Sequence, residues 1–318
     1  MNKIPLETTI GSAYRFLFTR ILSILGTLWL PLLVMAVLVM GILYAAVPHE
    51  WLAGHLPQIP ERSGQGPHQI DKDMAAFAAV CRLYIGPFLM AMPLLTFVSL
   101  VMSSMMMVGL MRLSLGQTKS QFVFFSLGGD VWRLVAAYFL LCLIAIALFA
   151  VMIGIAVAGA VMAGPYISKG GAAVALAVLV VIAELCFFIY AMVRFSFFLP
   201  AVVVAEHRIG LGRAWELGGG NFWRIFVVIL LIVIPVAIVG GMISNMTVMP
   251  ILASEFMRFS DKPTAADLSA FFHALPPLIP VLLAIGVLQR IANMGLMAGA
   301  IGSAYNALAP KAEEKTSA

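Results

Sequence analysis

The sequence predicts an all-α membrane protein, with six transmembrane helices arranged as three parallel repeats of an elbow followed by a helical hairpin. Three observations carry this. First, 63% of the 318 residues are apolar and 10% are charged, against roughly 25% charged in soluble domains. Second, six apolar runs, at about 21–47, 84–111, 134–163, 172–195, 222–248 and 277–300, are each long enough to cross a hydrocarbon core of about 30 Å as a helix. Third, a glycine-rich hinge recurs in front of these runs. The runs leave one integral membrane domain, 1–310, and a short charged tail, 311–318, expected to be disordered.

The hinge is clearest at Gly218, Gly219, Gly220, Asn221, Phe222, Trp223 and Arg224. An amphipathic piece, Glu206 to Glu216, runs into three glycines that hold a helix poorly, and Asn221 offers its side chain as an N-cap for the next helix. Trp223 suits the lipid headgroup level, and Arg224 can extend its head towards water. Gly128, Gly129, Asp130, Val131, Trp132, Arg133 and Leu134 repeat the pattern, and a weaker copy ends at Arg20 and Ile21. Arg20 precedes Pro31 by eleven residues, as Arg224 precedes Pro235. These matched spacings argue for internal duplication.

The run Arg194, Pro200, Ala201, Glu206, Ala214, Trp215, Glu216, Leu217, Gly220, Asn221, Phe222, Trp223, Arg224 resembles the glycerophosphoryl diester phosphodiesterase membrane-domain family of bacterial six-helix membrane proteins. The core of the likeness covers about thirty residues and extends loosely to the helix count of the whole chain. Family members usually carry Ser before the Trp and Thr after the Leu, where this chain has Ala214 and Gly218, which weakens any hydroxyl role there. The resemblance implies a membrane domain of largely unestablished activity. The spans leave no room for a separate phosphodiesterase domain.

In chain order, residues 4–20 place Ile4, Leu6, Ile10, Tyr14, Leu17 and Phe18 among Glu7, Arg15 and Arg20, fitting an interfacial helix or an extension of the first span. The first span is too long for a secretory signal and is expected to stay attached; Pro31 can kink it. A polar loop from Pro48 to about Met74 holds His49, His55 and His68 among acids, but without the spacing of a strong metal site. The second span is rich in methionine, including Met105, Met106, Met107 and Met111. Consecutive methionines cannot share one helix face, so packing explains them better than copper binding.

Spans three and four form a hairpin in which Gly154 with Ala158, and Gly159 with Ala163, set small residues four apart and predict close helix approach. Cys81, Cys142 and Cys186 read as buried free thiols. Span five holds Pro235 and Gly240, and a polar loop, about 249–275, leads to span six.

Twelve basic residues fall on one side of the spans (Lys3, Arg15, Arg20, Arg112, Lys119, Arg133, Arg194, Arg208, Arg213, Arg224, Lys311, Lys315) and six on the other (Arg62, Lys72, Arg82, Lys169, Arg258, Lys262). The positive-inside bias then puts both termini and all hinges in the cytoplasm of a bacterial cell, in its inner membrane. Two spans per repeat restore the starting side, so the repeats are parallel. The net charge of +5 is dispersed between apolar segments, which excludes a nucleic-acid face.

Inside the spans the ionisable residues are Glu184 and Arg290, with Gln289 and Asn293 beside the latter. Their similar depth predicts an intramembrane pair, structural or forming a proton or ligand site. There is no nucleophile elbow, no His pair on a helix and no phosphate loop with Lys. The helix start beside Arg224 and Arg213 favours anions such as lipid phosphates. The reading is therefore a non-catalytic scaffold or lipid-interacting module without cofactor or metal, whose partners are membrane lipids and other membrane proteins. The alternative is a small-solute or lipid transporter using Glu184 and Arg290.

Overall fold

The computed structural model describes residues 3–46, 69–118, 124–167, 171–250, 253 and 278–309. Every regular element among them is a helix: α1 (Leu6–Thr19), α2 (Ile21–Ala46), α3 (Gln69–Ser114), α4 (Gly129–Ile167), α5 (Gly171–Ser196), α6 (Leu199–Glu206), α7 (Leu211–Gly218), α8 (Phe222–Thr247) and α9 (Ile279–Leu308). Six stretches are long and apolar enough to cross a membrane: Ile21–Ile42, Leu89–Ser114, Gly129–Gly159, Val178–Glu206, Phe222–Thr247 and Pro280–Leu308. The chain is thus an all-α membrane protein with six candidate spans.

The chain divides into two compact units, the first formed by Met1–Thr27, Ser104–Val233 and Asn293–Ala318. Here α1 is a separate amphipathic helix. Thr9, Ala13 and Leu17, spaced four apart, form its buried stripe, and the Thr8 and Thr9 hydroxyls both donate to the Pro5 carbonyl at its start. The core includes Ile24, Met105, Met106, Leu110, Met111, Leu134, Phe197, Phe198 and Ile225. Met102, Met105, Met106, Met107 and Met111 of the second span therefore serve as packing, whereas Met90 and Met92 are exposed. The end of α9 lies against α1, because glycine lets the backbones approach: a Cβ on Gly299 would stand 3.0 Å from Ala13 Cα and from Phe16 Cβ. Against the end of α3, a Cβ on Gly302 would stand 3.0 Å from Ser114 Cβ.

The second unit comprises Leu28–Ser103 and Ile234–Ala292. Leu28 and Leu32 of α2 and Ala91, Val101 and Met102 of α3 are buried, and Gly240 of α8 leaves the space that the Gln289 side chain of α9 fills. The helices α2 and α8 run unbroken through Pro31 and Pro235.

Several expectations are corrected. The third helix begins at Gln69, about fifteen residues before the anticipated span, because the stretch from 69 to 85 holds neither Gly nor Pro to interrupt it. The helix α4 starts at Gly129, so Asp130 stands inside its first turn. Although α4 and α5 pack along one another, nothing among the described residues lies within 4 Å of a Cβ placed at Gly154 or Gly159, so these two glycines touch no described neighbour. Cys142 and Cys186 are free but exposed on their helices, since a membrane protein's lipid-facing side is as apolar as its core. The amphipathic piece beginning at Glu206 is interrupted, with His207 in the left-handed region (φ 50°) ending α6. The residues 48–68 with His49, His55 and His68, the segment 254–277, Lys119, Lys169 and the tail 311–318 lie outside the described residues.

Candidate functional site

The hinge residues all lie in the first unit. After α7 ends at Gly218, Gly219 is extended (φ −61°, ψ 129°) and Gly220 takes a positive φ of 69°, a conformation glycine adopts without strain. The chain then turns into α8, whose first helical bond runs from Ile225 N–H to the Asn221 carbonyl (2.9 Å). Asn221 thus occupies the N-cap position. Buried to 3% exposure, its Oδ1 accepts the Ile4 N–H (3.1 Å), and its Nδ2 donates to the Gly219 carbonyl (3.5 Å). Arg224 Nη1 donates to the Ile4 carbonyl (2.5 Å). Two hinge side chains therefore grip both backbone groups of one residue ahead of α1. Arg224, half-buried, thus has one nitrogen on Ile4. Trp223 remains 72% exposed, with its ring beside Phe222 and Phe226.

The second hinge is built around a charge. The Gly128 carbonyl accepts from Val131 N–H (3.0 Å) and Trp132 N–H (3.4 Å), opening α4 so that Asp130 points inward with 5% of its side chain exposed. Its Oδ2 accepts from Arg112 Nη2 (2.7 Å), and its Oδ1 lies 2.9 Å from both Arg133 Nη1 and His207 Nδ1. A carboxylate out of water is tolerable when its oxygens are this fully partnered. At Gly129 a Cβ would approach the Arg133 guanidinium at 3.4 Å, and Trp132 is exposed. At the weak first hinge, Arg20 Nη1 donates to the Leu113 carbonyl (3.4 Å).

Beside the turn at Gly218 to Asn221, Arg194 at the end of α5 stacks over Trp215 (3.8 Å to the ring centre) and donates to the Trp215 carbonyl (2.8 Å) and the Tyr190 hydroxyl (2.6 Å). A Cβ on Gly218 would stand 3.3 Å from the Arg194 carbonyl, so this turn fits glycine where the resembled family carries Thr. Glu206 receives Arg208 (2.6 Å), Arg213 (3.4 Å) and the Tyr305 hydroxyl (3.3 Å). Arg213 is also shared with Glu216 (3.4 Å). One Arg224 nitrogen is thus on Ile4 and Arg213 lies between two acids, and both guanidiniums near the start of α8 keep part of their surface exposed.

Glu184 belongs to the first unit and Arg290 to the second. Glu184 faces a cavity of about 290 Å³ between α4 and α5 with Met152, Ile155, Phe187 and Phe188, and its buried Oε1 has no hydrogen-bond partner among the described residues. Arg290 donates through Nη2 to Ser103 Oγ, which in turn donates to the Ser99 carbonyl; its buried Nε has no partner among the described residues. An isolated charge deep in a span costs about 2.5 to 3.5 kcal/mol on insertion scales, so this guanidinium needs more than one hydroxyl.

Sequence reasoning missed Ile4, His207 and the Leu113 carbonyl. The tripeptide Gly109, Leu110, Met111 near the end of α3 is found again as Gly295, Leu296, Met297 in α9. Both glycines sit at close contacts, Gly109 against Thr27 and Phe124, and Gly295 against Leu17 and Ile24.

Six apolar helices and a polar cluster of hinges define a multi-pass integral membrane protein. No family model, no curated protein and no solved structure matches the chain.

Proposed function

We propose that this chain is a non-catalytic scaffold or lipid-interacting module of the bacterial inner membrane, with both termini and its hinges cytoplasmic. One observation carries the reading: the polar hinge residues are used to fasten the chain to itself. Asp130 holds Arg112, Arg133 and His207, and Asn221 and Arg224 hold Ile4, while Trp132 and Trp223 stay on the outside, suited to an interface. The same contacts support three parallel repeats. Arg20 reaches the end of α3, which leads to the second elbow. Asp130 reaches His207, which leads to the third, and Asn221 reaches Ile4, which leads to the first. The twelve-to-six distribution of Lys and Arg supports the orientation. The likeness of residues 194–224 to the glycerophosphoryl diester phosphodiesterase membrane-domain family agrees with a membrane-embedded domain.

Purification in native-membrane discs tests this, with lipids and proteins quantified against an unrelated six-span protein. Enrichment of specific phospholipids or of a membrane-protein partner is expected; retention no different from the control would contradict it. A second reading, a transporter of small solutes or lipids, is favoured by the cavities beside Glu184 and Arg290 in their respective units. Uptake into proteoliposomes that is abolished by Glu184→Gln would support it.

A further inference from the structure

We infer that the groove beside Arg290 in the second unit binds the phosphate group of an anionic ligand, with an apolar chain laid beside it. Three facts converge. Arg290 lies eleven residues into α9, about 16 Å along the helix axis, and its guanidinium stays charged under all ordinary conditions. Among the described residues no carboxylate pairs with it; one nitrogen is held by Ser103 Oγ and the buried Nε has no partner. The groove it lines is shallow and wide open and holds about 490 Å³, a shape that suits a ligand lying along the helices better than one enclosed by them.

The walls define the ligand. Thr96, Ser99 and Ser103 are spaced by three and four residues and so share one face of α3, lining up hydroxyls beside the guanidinium. Met92 and Leu95 continue the same groove without polar atoms. A guanidinium pairs bidentately with phosphate oxygens, and neighbouring hydroxyls can donate to the remaining ones. The apolar wall then suits hydrocarbon, which makes a phospholipid the fitting source, although inorganic phosphate shares the headgroup chemistry. This deepens the lipid-interacting reading proposed above and rests on it.

The test uses full-length protein in phosphatidylcholine nanodiscs doped with phosphatidylglycerol, with bound lipid counted by native mass spectrometry. Wild type should retain phosphatidylglycerol over phosphatidylcholine, and Arg290→Gln should lose at least about tenfold of that preference. Arg290→Lys, which keeps the charge without the fork, should lose part of it. Thr96→Val with Ser99→Ala leaves the contact between Arg290 and Ser103 in place and should also weaken retention, which keeps the test alive if Arg290→Gln does not fold. Displacement of the lipid by added inorganic phosphate would support the site and show that the phosphate alone is read. Equal retention by wild type and the Arg290 and hydroxyl variants would overturn this inference while leaving the lipid-interacting reading intact; no lipid preference in wild type would sink both.

Discussion

Replacing Asp130 by Asn is the sharpest perturbation of the hinge. The carboxylate is 5% exposed and takes Arg112, Arg133 and His207 at 2.7, 2.9 and 2.9 Å. Asn keeps the shape and one acceptor but removes the charge, leaving two guanidiniums facing an amide. Removing one partner of a fully buried ion pair costs about 3 to 5 kcal/mol. Here Arg112, Arg133 and His207 are 28%, 44% and 61% exposed, and His207 contributes charge only when protonated, so water offsets part of the loss. The expected destabilisation is about 2 to 3 kcal/mol, most of it from Arg112. Equilibrium unfolding by SDS titration in mixed micelles measures it, with Glu216→Gln as control, since Glu216 is 69% exposed and 3.4 Å from Arg213 and should cost less than about 0.5 kcal/mol. An Asp130→Asn variant as stable as the control would refute the reasoning.

In the same titration, Gly299→Ala should cost about 1 to 3 kcal/mol, because its methyl stands 3.0 Å from Ala13 Cα, whereas Gly154→Ala, with nothing within 4 Å, should be neutral or gain up to about 1 kcal/mol from helix propensity. Arg224→Met strips the Ile4 carbonyl of its charged donor and should cost about 1.5 to 3 kcal/mol. Combined with Asn221→Leu, which removes the other bond to the same residue, the losses should sum to less than the two separately. Reporter fusions after Gly64 and Lys262 should be external and those after Lys119 and Gly210 cytoplasmic; a cytoplasmic reporter at Gly64 would reverse the orientation.

The six spans were legible because the bilayer demands length and apolarity, and both are properties of a single segment. The break at Gly219 to Asn221 was legible for a similarly local reason, the conformational freedom of Gly220. What the hinges grip was not. Asn221 binds the backbone of Ile4, and a main-chain N–H leaves no mark in the residue that carries it; Asp130 finds His207 seventy-seven residues away. The small residues of α4 misled because glycine at four-residue spacing looks the same whether it faces a helix or lipid, while Gly295 and Gly299, which do sit at contacts, were passed over. Arg224 was legible only as a cation able to reach water; that one of its nitrogens meets the Ile4 carbonyl ahead of α1 was not.

The central claim, that each hinge fastens the segment leading into the next elbow, is tested most directly by hydrogen exchange on the full chain in nanodiscs. The N–H of Ile4 precedes the first helix and would exchange freely if it were not bonded to Asn221. The account predicts protection of the Ile4 N–H in wild type, its selective loss in Asn221→Leu, and its retention in Asp130→Asn, where exchange rises around His207. Free exchange of the Ile4 N–H in the wild-type protein would contradict it.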